Sequence, residues 1–250
     1  MAQTSALHDR SLGRLTLRIA RDETDMAQVA QLRRIRFREN RGADLDRFDP
    51  LCAHMLVVEG DDPTALACAR LRLLQGGELE TGYSAQYYDL SPLVRAGLRG
   101  LELGRICIAD ARRQDPDILR ALLAGIAHHS EAEKVDLLIG CASFKGDDPA
   151  RHAAALGWLK TRHTGPAALC PGKRDALAFD LPEGGELADQ KAAMQSIPPL
   201  LRMYLGMGGW GSDHAVRDPN LDTLHVFTAV EIARIPASRK RLLMGLTQPR

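Results

Sequence analysis

Two residues of opposite charge stand inside one apolar stretch, Leu101-Glu102-Leu103-Gly104-Arg105-Ile106-Cys107-Ile108. Four aliphatic residues, a cysteine and a glycine read as a buried strand. A carboxylate in such a strand can accept a proton, and a guanidinium can fork onto an anion. Burying both is costly unless they pair or work. Side chains alternate along a strand, so Glu102 and Arg105 should face opposite sides. A bulge at Gly104 would bring them to one face. The stretch alone leaves a structural salt bridge and a reactive pair as equal readings.

Other groups able to do chemistry lie upstream. A helical run over 26–39 carries Arg33, Arg34, Arg36 and Arg38 beside an apolar face of Met26, Val29, Ala30, Leu32 and Phe37. The plain reading of the arginines is a solvated helix face. The polar loop after it, closed by Pro50, holds Asp44, Asp46 and Asp49, and loops carry acids for solubility or capping as well as for binding. Arg70 and Arg72 fall on one face of a strand. Ser143 stands at a strand end, where a hydroxyl commonly caps locally. His128 and His129 belong to a helix surface, and His152 and His163 suggest no role.

The elements that must position these groups follow from the hydropathy pattern. Residues 14–20 alternate as a half-buried strand, and Asp22, Glu23, Thr24 and Asp25 cap the arginine-bearing helix. Strands follow over 54–59 and 65–74, antiparallel across an Asp61-Asp62-Pro63 turn. Residues 83–89 are aromatic and irregular, and 93–98 suit a short helix. Past the charged strand, 118–134 is a helix with Ile118, Leu119, Leu122, Leu123, Ile126 and Ala127 on one stripe, and 136–142 a buried strand. That succession implies a right-handed crossover between parallel neighbours. A helix over 147–159 and a strand over 176–181 complete the main body. From Pro182 the composition shifts to a linker, then a helical stretch over 190–208 broken at Pro198-Pro199, a glycine-rich turn, a strand over 223–230 and a basic helix over 237–245. The expected division is a flexible 1–13, a main domain over 14–181, and an extension over 182–250 packed on it.

Composition excludes several classes. The chain has 250 residues, 45% hydrophobic and 26% charged, which suits one large domain or a domain with an appendage. A net charge of +1 and 4% aromatics give no footprint for nucleic acid. The five cysteines form no Cys-x-x-Cys pair, which argues against zinc and against a disulfide framework, and no metal site is expected. Four of them adjoin apolar runs, which points to reduced thiols in the cytoplasm. Residues 1–18 lack the apolar core of a secretion signal, and no apolar run is long enough to span a bilayer as a helix.

Taken together, the order strand, helix, strand, strand, charged strand, loop, helix, strand, helix is that of the GNAT acyltransferase fold: α/β, with a mixed central sheet flanked by helices, here with a C-terminal helix-strand extension. Arg33 and Phe37 one turn apart, Asp46-x-Phe48-Asp49, Cys68-Ala69-Arg70-Leu71 and Glu102-x-x-Arg105 look like the acyl-homoserine lactone synthases. Those enzymes carry an aromatic Gly-Trp step where this chain has Asn40-Arg41-Gly42. FDPLCAHMLVVE, LELGRICI, LIGCASFKG, PPLLRMYL and LDTLHVFTAVEIARIP, in that order, resemble more closely the bacterial ornithine-acyl-(acyl carrier protein) N-acyltransferases. That resemblance implies transfer of a 3-hydroxyacyl group from acyl carrier protein to the α-amine of ornithine, giving lyso-ornithine lipid. It needs no cofactor beyond the carrier's phosphopantetheine thioester, which is a co-substrate.

Under that resemblance Glu102 and Arg105 become the catalytic pair, with Glu102 as base, and Ser143 a candidate to protonate the thiolate or hold the acyl 3-hydroxyl. Arg33, Phe37, Asp46, Asp49 and Arg70 form the expected amino-acid site, the aspartates for the side-chain ammonium and an arginine for the carboxylate. The loop after the charged strand, Ala109 to Gln114, has none of the glycines that cradle a pyrophosphate, which fits a carrier protein better than coenzyme A. Backbone donors around Ile106 and Ile108 would hold the pantetheine arm, while Arg112 and Arg113 would meet the carrier's acidic surface. The rival readings are a homoserine lactone synthase and a non-catalytic acyl-carrier-binding module. The His/Asp pair of glycerolipid acyltransferases is excluded, because His214 and Asp218 fall one residue short of its interval. The apolar residues Leu200, Leu201, Met203, Tyr204 and Leu205 suit core packing first. With Arg202, Arg239, Lys240 and Arg241 as basic flanks they also suit peripheral contact with the inner membrane.

Overall fold

A computed structural model describes residues 9–39, 42–183 and 190–245. The chain runs through strands β1 (Arg10–Leu12) and β2 (Leu15–Ile19), helix α1 (Glu23–Arg38), and strands β3 (Ala53–Glu59) and β4 (Asp62–Gln75). Strand β5 (Tyr88–Asp89) and helix α2 (Ser91–Arg95) lead to β6 (Arg99–Ile108), followed by α3 (Pro116–Ala132), β7 (Leu137–Lys145) and α4 (Ala153–His163). Next come β8 (Gly172–Lys173), β9 (Ala178–Asp180), α5 (Gln190–Ser196), α6 (Pro199–Gly206), β10 (Trp210–Asp218), β11 (Thr223–Glu231) and α7 (Ala237–Gly245). The expected strands and helices occur in the expected order, with β1, β5, β8 and β10 in addition. Two compact units result, one from the described residues of 1–73, 103–135 and 237–250, the other from those of 74–102 and 136–236.

In the first unit the strand order is β1-β2-β3-β4-β6. Leu15, Leu17 and Ile19 of β2 are buried and alternate with half-buried Thr16 and Arg18, as one covered face requires. Helix α3 packs on β2 and β3. It comes close because Gly125 has no side chain: a β-carbon there would meet Leu17 Cδ2 at 2.2 Å. Helix α1 starts at Asp22, whose side chain accepts from Asp25 N–H, and places Val29 and Leu32 against Leu56, Ala65, Cys68 and Cys107. Arg33, the next residue along, turns inward with them.

In the second unit the order is β6-β7-β11-β10-β9. β6 and β7 run parallel, with Glu102 opposite Ile139, and β11 pairs antiparallel with β7 through nine registered pairs. The sheet is therefore mixed.

Several expectations need correction. Residues 10–12, expected to fray, form β1 against β2. Residues 210–218, of which only Trp210 and Gly211 belong to the glycine-rich GMGGWG stretch and the rest carried no expectation, form the buried strand β10. Residues 182–250 do not make a unit of their own, because β10 and β11 pair within the second unit and α7 belongs to the first. Residues 1–8, Arg41 and the middle of the linker, 184–189, lie outside the described residues. Leu201, Tyr204 and Leu205 are buried, with Leu201 and Leu205 packed among Phe144, Leu156 and Val226, so this stripe is core and not a membrane face. Among the described residues no helix is long and apolar enough to cross a membrane.

Candidate active site

In the first unit, α1, the loop after it, β4 and β6 bring six of the expected residues together. Arg33 is fully buried; its Nε donates to Asp44 Oδ2 at 3.0 Å, and its Nη1 and Nη2 donate to the two oxygens of Asp49 at 2.6 and 3.3 Å. Arg70 Nη1 donates to Asp46 Oδ1 at 2.7 Å and to Asp49 Oδ1 at 3.1 Å. Arg105 Nε donates to Asp44 Oδ2 at 2.9 Å and its Nη2 reaches Asp46 Oδ2 at 3.5 Å. Arg38 Nε lies 3.3 Å from Asp44 Oδ1. The rings of Phe37 and Phe48 face the guanidiniums of Arg105 and Arg70, 5.6 and 5.9 Å from the ring centroids.

The loop is organised by its own carboxylates as well. Asp46 N–H donates to Asp49 Oδ2 at 2.6 Å, and Phe48 N–H to Asp46 Oδ1 at 2.9 Å. Burial alone would raise the Asp49 carboxyl, but the Arg33 guanidinium, the Asp46 N–H and the Arg70 charge outweigh it and hold Asp49 at about 2. His54 is buried against the Asp49 carbonyl, 3.1 Å from its Nε2, and burial lowers its pKa. Asp49 is thus committed within the lattice. Asp46, with 27% of its side chain exposed, is the most open of the three carboxylates.

Arg105 reaches this lattice through a backbone irregularity. Its φ is +52°, the left-handed region that costs a non-glycine residue about 1 kcal/mol or more. The irregularity in β6 therefore falls on Arg105 and not on Gly104. At Gly104 a β-carbon would sit 3.6 Å from Arg70 Nε, an ordinary van der Waals contact, so space does not demand glycine there.

In the second unit Glu102 is 5% exposed. Its two oxygens accept from Tyr83 N–H and Ser84 N–H, each at 2.7 Å, and neither donor is a cation. Ser143 is not brought to it. That side chain is exposed and lies four residues along β7 from Ile139, the register partner of Glu102, about 13 Å at ordinary strand rise.

The expected carrier-facing residues occupy the first unit. Ile106 and Ile108 are half-buried at the end of β6. Arg112 bonds Glu59, which Arg14 also bonds, and Arg113 lies 3.3 Å from Asp110, which Arg36 bonds. Among the described residues no group of three or more His, Cys, Asp or Glu is arranged to hold a metal ion.

Sequence reasoning missed two participants. Asp44 stood among three loop acids with nothing to single it out, yet it has the most buried carboxylate of the three and takes three arginines. The turn at 82–84 looked merely irregular.

Comparison with known proteins follows the same lines. The acetyltransferase (GNAT) domain family matches residues 28–122. The L-ornithine N(alpha)-acyltransferase of Rhodobacter capsulatus is 31% identical over 232 residues, covering 86% of this chain and 89% of that protein. The protein of the same name from Brucella abortus is 31% identical over 247 residues, covering 90% and 86%. Among solved structures, FeeM, an N-acyl amino acid synthase from uncultured soil microbes, aligns with a TM-score of 0.49 at 8% identity, covering 88% of this chain and 93% of that one.

Proposed function

The chain belongs to the L-ornithine N(alpha)-acyltransferases, and from that premise we propose that it moves a 3-hydroxyacyl group from the phosphopantetheine thioester of an acyl carrier protein to the α-amine of ornithine, giving lyso-ornithine lipid. The observation that carries this reading is Glu102, a buried carboxylate whose oxygens are both aimed by backbone N–H groups. An α-ammonium titrates near pH ~8 and cannot attack until it loses a proton. Glu102 takes that proton, directly or through one water. The amine nitrogen then attacks the thioester carbon. The C–N bond forms, the C–S bond breaks, and the thiolate leaves with the amine's second proton. One amide, one thiol and one proton passed from Glu102 to solvent close the balance.

Ornithine brings two ammonium groups and one carboxylate. Asp46, the most open carboxylate of the lattice, is assigned to the side-chain ammonium, and Arg105 to the carboxylate. Arg33, Asp44 and Asp49 hold those two in place, with Arg70 bridging Asp46 and Asp49. Arg113, 60% exposed, is the residue placed to meet an acidic carrier surface.

The test is the mass of the product formed from 3-hydroxyacyl carrier protein with ornithine, S-adenosylmethionine or lysine supplied in turn. N-(3-hydroxyacyl)ornithine, formed with ornithine only, supports the reading. An acyl-homoserine lactone, or no consumption of thioester with any acceptor, refutes it.

A further inference from the structure

We propose that the Gly82-Tyr83-Ser84 turn positions Glu102 for proton transfer, and that residue 82 is glycine because the Glu102 carboxylate lies against it. The inference rests on the base role given to Glu102 above. Backbone conformation does not ask for glycine here: φ is −71° and ψ 168°, which any residue adopts. Space does. A β-carbon on residue 82 would lie 3.1 Å from each carboxylate oxygen of Glu102 and 2.9 Å from Leu74 Cδ1. The end of the leucine can swing aside. Glu102 cannot move without stretching its two 2.7 Å bonds to Tyr83 and Ser84 N–H.

The turn that offers those donors is itself fixed. Gln86 N–H donates to Tyr83 O at 3.2 Å and Tyr87 N–H to Ser84 O at 3.0 Å, which closes a short 3-10 turn just after the clamp. Ser84 is fully buried, with Cys141 Sγ 3.6 Å from its Oγ. Two N–H groups on a rigid turn orient both oxygens at once, so the carboxylate is held in one rotamer before substrate arrives.

The test compares Gly82→Ala, Glu102→Gln and the double variant with the parent protein. Gly82→Ala is expected to lower kcat about tenfold while KM for both substrates stays within about twofold, the scale of a sub-ångström misplacement of a reacting group. In the Glu102→Gln background the same change should add no further loss, because the group it displaces is no longer a base. Leu74→Val with Gly82→Ala relieves the leucine contact and keeps the comparison available if the single variant folds poorly. Parent-like kcat in folded Gly82→Ala overturns the proposal, and so does a tenfold loss that persists in the Glu102→Gln background. Near-normal turnover by Glu102→Gln overturns the base reading itself, and the proposal with it.

Discussion

The two units bury their polar groups in opposite states. The first holds a lattice of ionised side chains: Arg33, Arg70 and Arg105 share Asp44, Asp46 and Asp49. The second buries neutral groups. Tyr88 O–H donates to the His225 carbonyl at 2.9 Å and lies 2.9 Å from His225 Nδ1, with the rings of His214 and Phe227 against it. Burial pushes His225 down to about 4 and the Tyr88 phenol well above its ordinary value. Glu102 and Asp218 are the exceptions there, buried carboxylates served by backbone donors. The first unit fixes geometry by pairing charge and the second by excluding it, so the same perturbation should strike them differently.

The largest expected effect comes from breaking the lattice. Asp49→Ala leaves Arg33 buried with its Nη1 and Nη2 partners gone, and removal of one member of a buried pair costs about 3–5 kcal/mol. Urea titration followed by amide exchange should place that loss in residues of the first unit. An unchanged midpoint would show that the lattice is not what holds the loop.

Acid should sharpen the contrast. An unfolded histidine titrates near ~6.5, whereas His225 stays neutral in the fold down to about 4. As pH falls through that window the unfolded chain gains a proton that the folded one does not, and stability drops by up to about 3 kcal/mol. Asp49 works in the other range: held at about 2, it favours the fold above pH ~4 and loses that contribution only as pH falls toward 2. Both tryptophans and all four tyrosines belong to the second unit, so their fluorescence reports it selectively. That signal should loosen between pH 6.5 and 4, and His225→Gln should flatten the slope. A flat parent profile over that window would contradict the neutral-core account.

The smallest effect is the most local. Asp46→Asn, at the open edge of the lattice, should raise KM for ornithine about tenfold, the worth of one charged hydrogen bond, and leave the melting temperature nearly unchanged. A large loss of stability with KM unmoved would return Asp46 to a structural role.

Much of this was legible in the sequence where periodicity and spacing speak. The alternation of β2, the caps of α1 and the stripe of α3 predict their elements directly. β10 was not legible, because Gly208, Gly209 and Gly211 signal a turn and a register shift between Gly211 and Ala215 disrupts the alternation a strand should show. Glu102 and Arg105 stood out as charges in an apolar strand, whereas Arg33, Asp46, Asp49 and Arg70 were singled out through the family resemblance. Asp44 could not, since three acids in one loop look alike until tertiary contacts choose the innermost. Nor could the backbone irregularity be placed, because glycine tolerates the left-handed conformation that arginine here adopts under the hold of two aspartates. The Gly82 clamp depends on which carboxylate meets which turn across nineteen residues of chain, information that no local pattern carries.

The account turns on Glu102 as the proton acceptor, and the most direct test is turnover by Glu102→Gln. The variant keeps the shape of the side chain and an oxygen for one of the two turn donors, while its NH2 faces the other, so circular dichroism and tryptophan emission are measured first and are expected to match the parent. Its kcat with 3-hydroxyacyl carrier protein and ornithine should fall by about two orders of magnitude or more, the scale of a lost general base, with KM for ornithine little changed. Near-normal kcat in that folded variant would remove Glu102 from the chemistry.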